Sequence, residues 1–437
     1  MRAQLAYGRH GLEVELPDER VTVVAPRHAP PLPDEPAALR AALRAPLASS
    51  PLRERVRPDD TVAIVFSDFT RAQPRDRILP VLIDELALAG VPPARITLFN
   101  ATGTHRANSD AELAEMLGPA VHGRCRVVQH DCRDASRLAR LAPLSGAAGG
   151  RAAFINAEFL RADVKILTGF IEPHFFAGFT GGPKAIMPGL AGLDTVLANH
   201  AAPPLSDPRA TWGVTRGNPV WEEMLEVALR AGPSFLLDVA LDHHRRITGV
   251  FAGDLAAAHA AGARFVGETA LAPLPGPFDV VLTTNSGFPL DRNLYQCVKG
   301  MSAAARVVKR GGAIVVAAAC DDGVPATGGY ATLLREARDP RELLARVMTP
   351  GFAHPDQWQA QIQAQVQQRA EVHLFSDGLT AAEIRAAHLI PCRSIGETVA
   401  RLLAARGPAA SLCVLPQGPL TIPTLPPAPA SPPGPAA

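Results

Sequence analysis

Short apolar runs alternate with stretches of helical periodicity along most of the chain. Thr61-Val62-Ala63-Ile64-Val65-Phe66 is an apolar run that ends on Ser67-Asp68, the pattern of a strand buried on both faces and feeding a loop. Apolar residues at helical spacing follow from Ile78 to Ala89. Arg95 to Asn100 reads as a second strand and Asp110 to Leu117 as the next helix. Asp163 to Gly169 is a third strand, and it runs into a glycine-rich loop. After Pro273–Pro277, which reads as a linker, a second set begins: a strand over Phe278–Thr284, a helix over Asn293–Lys309 and a strand over Gly312–Ala319. The pattern predicts an α/β protein of two α/β domains with parallel-sheet cores and an active-site cleft between them. The expected divisions are 1–272 for the first domain and 278–405 for the second. Residues 406–415 are expected to pack back onto the first, and 416–437 to form a Pro/Ala-rich disordered tail.

In open α/β sheets ligands bind beyond the carboxyl ends of the strands. Three predicted strands end in polar residues: Asp68 and Arg71, His105, and the loop from Glu172 to Ala185. That loop combines His174, glycines at 178, 181 and 182, and Lys184, with His200 downstream. Its bare backbone suits close approach to a ligand, and its N–H groups suit a phosphate. Lys184 is fitted to bind a phosphate or to attack a carbonyl; the histidines are fitted to move protons or hold metal. A nucleotide-triphosphate loop is excluded: Pro183 precedes the lysine where a glycine is needed, and Ala185 follows it where a serine or threonine is needed. Singly, Asp68 reads as a helix N-cap, Arg71 as a surface charge and His105 as a turn histidine. Together they gather at one sheet edge. In the second domain Gln296 and Lys299 stand three apart near a helix start, so they share a face, with Tyr295 beside them.

Composition narrows the field. The chain has 437 residues and a net charge of +1, with aromatic residues at 5%. That leaves no electrostatic footprint for nucleic acid or an anionic membrane. No run approaches the ~18 apolar residues of a membrane span, and the N-terminal stretch lacks a signal-like apolar region, so the expected location is the cytoplasm. The six cysteines form no C-x-x-C pair and read as reduced thiols. A nicotinamide-dependent 2-hydroxyacid dehydrogenase lacks its G-x-G-x-x-G fingerprint here, and a zinc hydrolase its close histidine pair apart from the surface doublet His243-His244. A non-catalytic protein that binds a sugar acid or nucleotide has the same cleft and no turnover.

Several segments carry a resemblance: SDFTR at 67–71, TGTHR at 102–106, PHFFAGFTGGPKAIMPG at 173–189, ANH ending at His200, LDRNLYQCVKG at 290–300, and Trp358 after Asp356-Gln357. With them the chain resembles the nickel-pincer-nucleotide lactate racemase family of 2-hydroxyacid racemases and epimerases. The resemblance implies a mononucleotide of pyridinium-3-thioamide-5-thiocarboxylic acid carrying nickel, joined covalently to Lys184. It implies His200 as a nickel ligand, and Thr70, Gly181 and Gly182 as cofactor-binding positions. His105 and His174 would be the proton-transfer bases, with Asp68 orienting His105. Arg71, Tyr295, Gln296, Lys299 and Trp358 would contact substrate, a small 2-hydroxyacid of lactate, malate, aromatic or sugar-acid type. Cofactor-maturation proteins would be partners. Pro183, Ala185 and Ala72 stand where Arg, Ser and Pro are common in relatives, and these departures bear on substrate identity.

The chemistry wants the same set. The C2 hydrogen leaves more readily as hydride when a base takes the hydroxyl proton at the same time. Reaching both faces of a planar 2-oxoacid requires two such bases. A bidentate arginine holds the carboxylate meanwhile.

Overall fold

The run at Val62–Ser67 forms the strand expected of it, and the sheet around it decides where the polar strand ends meet. The computed structural model describes residues 1–27, 29–145, 149–325 and 328–426. They form two compact units. The first comprises Arg27–Ala270 and Ala345–Gln361. Its six-stranded sheet runs in the order Ile247–Gly253, Phe235–Leu241, Val164–Phe170, Val62–Ser67, Ile96–Ala101, Arg126–Gln129. Only the Ile247–Gly253 edge is antiparallel to its neighbour. From Val62–Ser67 the chain winds outward to Arg126–Gln129, returns, and winds the other way from Val164–Phe170. The strand order therefore reverses between Val62–Ser67 and Val164–Phe170, a doubly wound topology with its ligand crevice at that reversal. Ile64, Phe66, Leu79, Ile83, Ile166 and Leu237 are among the fully buried residues of the core on one face. The helix Asp110–Leu117 has the predicted bounds, and a Ser109–Glu112 capping box sets its start.

The other unit comprises Met1–Pro26, Leu271–Leu344 and the chain from Ile362 onward. Its sheet is wholly parallel, in the order Ile390–Pro391, Glu371–Phe375, Val308–Ala317, Phe278–Thr284, Leu412–Leu415, Val21–Val23. Three expectations are corrected here. Residues 1–26 belong with this unit, because Val21–Val23 pairs with Leu412–Leu415, and Ala3, Leu5, Val14 and Leu16 join its core. Residues 412–415 pair with Phe278–Thr284, so they are part of this sheet and not of the first unit. The chain after Pro416 is not all tail: Ile422–Thr424 pairs in parallel with Leu271–Pro273, and Thr421 and Ile422 are buried. Pro273, expected in a linker, thus lies in a strand, while 427–437 lie outside the described residues. The helix after Phe278–Thr284 spans Leu294–Ala305, capped by the Asn293 side chain, which accepts from the Gln296 N–H. It ends before Lys309 because the chain from Val308 is already strand.

All six cysteines are free and buried. Among the described residues no helix is long and apolar enough to cross a membrane. Leu5 is 1% exposed within the core that Phe278–Thr284 and Leu412–Leu415 build. Leu5→Ala is expected to destabilise that unit by about 2–4 kcal/mol, the usual scale for a Leu→Ala cavity. Denaturant unfolding followed by hydrogen exchange should show loss of protection in Leu412–Leu415 before Val62–Ser67; the reverse order would return the segment to the other unit.

Candidate active site

Two strands flank the reversal, and each ends in functional side chains. Beyond Val62–Ser67 the chain turns through Asp68, Thr70 and Arg71, and the turn is held by a residue the sequence reading passed over. The buried Arg75 guanidinium donates to the Ser67 carbonyl at 2.7 Å, to Gln73 and Arg71 carbonyls at 3.1 Å, and to the Asp68 carbonyl. Burial pulls Arg75 down to about 10, with Asp68 pushing the other way. Gln73 adds a second lock: its Oε1 accepts from the Ser67 N–H at 2.8 Å, and its Nε2 donates to Thr168 Oγ1 at 2.8 Å. A charged side chain immersed in backbone carbonyls at a helix start is the signal that marks Arg75, visible only once the turn is folded.

The next strand, Ile96–Ala101, delivers His105 onto this turn. Gly103 has φ of 57°, and its N–H donates to the Gly189 carbonyl at 3.1 Å, which ties the histidine turn to the end of the lysine loop. His105 Nδ1 lies 2.7 Å from Asp68 Oδ2, and Thr70 Oγ1 donates to Asp68 Oδ1 at 3.0 Å. Burial pushes the Asp68 carboxyl up, but His105, Arg71 and the Thr70 hydroxyl outweigh it and hold it at about 2. Asp68 is therefore an anion, His105 donates to it through Nδ1–H, and the bond leaves Nε2 as the ring nitrogen that faces away from the carboxylate. Thr70, expected at the cofactor, works on this carboxylate.

Beyond Val164–Phe170, Pro173–His174 pairs with Gly178–Phe179 in a tight hairpin. The Ala177 N–H donates to His174 Nδ1 at 3.2 Å, so the neutral His174 ring carries its proton on Nε2. The two histidines are thus set in opposite senses. Lys184 sits in the short helical turn Gly182–Ala185, with its ammonium 5.7 Å from the centre of the Phe176 ring. His200 follows the helix Leu193–Asn199 and is buried. Its ring meets Phe176 and Trp358 edge-on, each at 5.0 Å. His200 Nδ1 is buried with no hydrogen-bond partner among the described residues. Burial, then the Lys184 charge, pulls the imidazole down to about 3, so it is neutral.

Trp358, a substrate residue expected within the second domain at 278–405, belongs to the same unit as His200. All three tryptophans of the chain lie on this unit's site: Trp358 on His200, Trp212 at 6.1 Å from Phe175, and Trp221 tilted against His259 at 4.5 Å.

At Gly181 and Gly182, where a phosphate cradle was expected, the backbone packs against Asp238 and His259. The Gly182 N–H donates to Asp238 Oδ2 at 2.7 Å. A Cβ on Gly182 would stand 2.6 Å from His259 Cδ2, and one on Gly181 would collide with the Asp238 carboxyl. The glycines permit internal packing, and the N–H is already bonded. Asp238 and His259 were missed, although a lone Asp in the apolar run Phe235–Leu241 was a signal. In the other unit, Tyr295, Gln296 and Lys299 lie on the first turns of Leu294–Ala305, after the strand at that sheet's own reversal. The Tyr295 ring meets Tyr330 edge-on at 5.5 Å, and Gln296 Oε1 is buried without a partner among the described residues.

Comparison with known proteins gives one answer. A family model described as the lactate racemase N-terminal domain matches residues 7–213, and one described as the lactate racemase C-terminal domain matches 275–422. The lactate racemase of Thermoanaerobacterium thermosaccharolyticum is 34% identical over 401 residues, 91% of this chain and 93% of that protein. The lactate racemase of Lactiplantibacillus plantarum is 36% identical over 375 residues, 85% of this chain and 87% of that protein. The solved lactate racemase apoprotein of T. thermosaccharolyticum superposes with a TM-score of 0.90 at 32% identity, covering 97% of this chain and all, 100%, of that one. A Thermotoga maritima protein shares the fold at a TM-score of 0.67 and 19% identity.

The buried groups behind the lysine loop set a pH dependence. Burial pulls His259 down to about 4, so the unfolded chain takes up a proton near pH 6.5 that the folded chain refuses, and stability is lost as pH falls through that window. Burial raises Asp238 to about 7, so it acts in the opposite sense over the same window. Comparison with a variant separates the two. Between about pH 7.5 and about pH 5, wild type should lose about 2 kcal/mol relative to His259→Gln in urea unfolding. Parallel pH profiles would refute a buried neutral His259.

Proposed function

The chain belongs to the lactate racemase family, and from that premise we propose that it inverts C2 of a small 2-hydroxyacid, with a nickel-pincer nucleotide joined to Lys184 and its nickel ligated by His200. A racemase is an isomerase, and nickel belongs to the known chemistry of this family. The observation that supports the cofactor reading most is His200. A metal ligand has to be an unprotonated imidazole. His200 is held neutral by burial and by Lys184, and its Nδ1 has no hydrogen-bond partner among the described residues, where a packed core histidine normally finds one. Imidazole and sulfur ligands suit nickel. When bound, the nucleotide supplies an acceptor for the C2 hydrogen and its electron pair.

The side chains do the rest. Arg71 grips the substrate carboxylate through two N–H groups and keeps C2 in place while the planar 2-oxoacid exposes its other face. His105 takes the hydroxyl proton at Nε2, and the Asp68 carboxylate stabilises the imidazolium that results. His174 serves the opposite face. For it to take a proton, its contact with the Ala177 N–H has to loosen, which makes it the less ready base of the two at rest. Gln296 and Lys299, on the first turns of Leu294–Ala305, are the further residues to which the resemblance gives substrate contact. The Phe175, Phe176, Trp212 and Trp358 rings keep water from the oxoacid.

Protein produced with the cofactor-maturation proteins should carry nickel and an adduct at Lys184 by intact mass. Lys184→Ala and Lys184→Arg should both lack the adduct and lose nearly all turnover, since a guanidinium does not replace the amine nitrogen. A full-mass adduct on Lys184→Ala would sink the attachment site.

Chiral analysis of a 2-hydroxyacid panel reads the reaction itself. His105→Ala and His174→Ala should each slow interconversion by on the order of 10²-fold or more in both directions, with the equilibrium ratio unchanged. Wild-type rates in both variants would end the two-histidine mechanism.

A further inference from the structure

Asp238 is the one carboxylate in the apolar strand Phe235–Leu241, and nothing in the reaction as described uses it. It is fully buried, opposite Gly169 in the register with Val164–Phe170. Among the described residues it has no ion-pair partner. Its Oδ2 accepts one hydrogen bond, from the Gly182 N–H at 2.7 Å, and its Oδ1 has no partner. A buried carboxyl with a single hydrogen bond destabilises a fold, so packing alone gives no reason for it. The backbone nevertheless makes room for it twice. A Cβ on Gly169 would stand 2.7 Å from Oδ1, and a Cβ on Gly181 would strike Oδ2.

The bond it makes falls at a particular place. His259 Nε2 donates to the Thr180 carbonyl at 2.9 Å, two residues before Gly182. Lys184 N–H donates to the Gly181 carbonyl at 3.1 Å, closing the turn that carries the lysine. The turn is thus anchored from below at Thr180 and at Gly182, and its own backbone runs through φ values of 80° at Gly181 and 52° at Gly182, where glycine has many alternatives. Without the second anchor the two glycines swivel, and the lysine goes with them.

We propose that Asp238 is a positioning residue for Lys184, holding the Gly181–Gly182 turn through the Gly182 N–H so that the amine meets the incoming cofactor. Its burial raises the carboxyl to about 7, against the pull of the Gly182 N–H. The inference rests on the reading of Lys184 as the attachment site.

The test compares Asp238→Asn, which keeps an acceptor oxygen, with Asp238→Leu, which fills the space without one. In cofactor-free protein, hydrogen exchange of the Gly181–Lys184 segment should quicken roughly tenfold in Asp238→Leu and stay within about twofold of wild type in Asp238→Asn. Exchange in the helix Asp110–Leu117, which follows Ile96–Ala101 three strands away from Phe235–Leu241 in the sheet, should be unchanged and serves as the folding control. On loading, the Lys184 adduct should form in Asp238→Asn as in wild type and fall severalfold in Asp238→Leu. Wild-type exchange and wild-type adduct yield in Asp238→Leu would overturn the proposal. Should Asp238→Leu fail to fold, quickened exchange at Gly181–Lys184 in a folded Asp238→Asn would overturn it equally. Failure of wild type itself to take an adduct would count against the attachment site, while the exchange comparison still decides the role of Asp238.

Discussion

Everything in the first unit's site follows from one reversal of winding. Because the chain turns back between Val62–Ser67 and Val164–Phe170, the helices that follow these two strands leave on opposite faces of the sheet, and the loops between strand and helix part at that point. The turn carrying Asp68 and Arg71 comes from one strand, and the hairpin carrying His174 from the other. His105 arrives from the neighbour on the near side. The hydrogen bond from Gly103 to Gly189 joins the histidine turn to the lysine loop, so three separate segments become one rigid edge.

Onto that edge the fold imposes an electrostatic division of labour. Where polar groups face one another, charge is kept: Asp68 stays ionised because His105, Arg71 and Thr70 surround it. Where apolar rings enclose a polar group, charge is refused: His200 and His259 stay neutral, and Asp238 is drawn towards its protonated form. The same residue types therefore serve as base, ligand or anchor according to their walls. The Arg75 guanidinium binds four carbonyls of the turn on the polar side and, with Gln73, holds its shape.

Much of this was legible in the sequence. The buried strands announce themselves as apolar runs, and Phe278–Thr284 and Asp110–Leu117 have the bounds that periodicity and capping predict. The polar residues at the strand ends were legible for the same reason. What was not legible depends on partners far away in the chain. The pairing of Val21–Val23 with Leu412–Leu415 leaves no local signature, so the first 26 residues were read with the wrong unit. Proline-rich composition hid the ordered stretch through Ile422–Thr424, whose burial depends on a strand beginning at Leu271. The glycines at 181 and 182 read as a phosphate cradle because local sequence does not distinguish room for a ligand from room for a neighbouring carboxyl. Asp238 and Arg75 are polar groups whose meaning is set by burial.

The placement of the three tryptophans makes the molecule optically lopsided. Trp212, Trp221 and Trp358 all belong to the unit that carries Lys184 and His200, and each touches an aromatic or imidazole ring of the site or of its supporting wall. Near-ultraviolet excitation selective for indole therefore lights one unit and leaves the other dark. Emission would follow events around Phe175, His200 and His259 with little background. An unfolding curve recorded by indole fluorescence therefore reports first on the unit that carries Lys184 and His200.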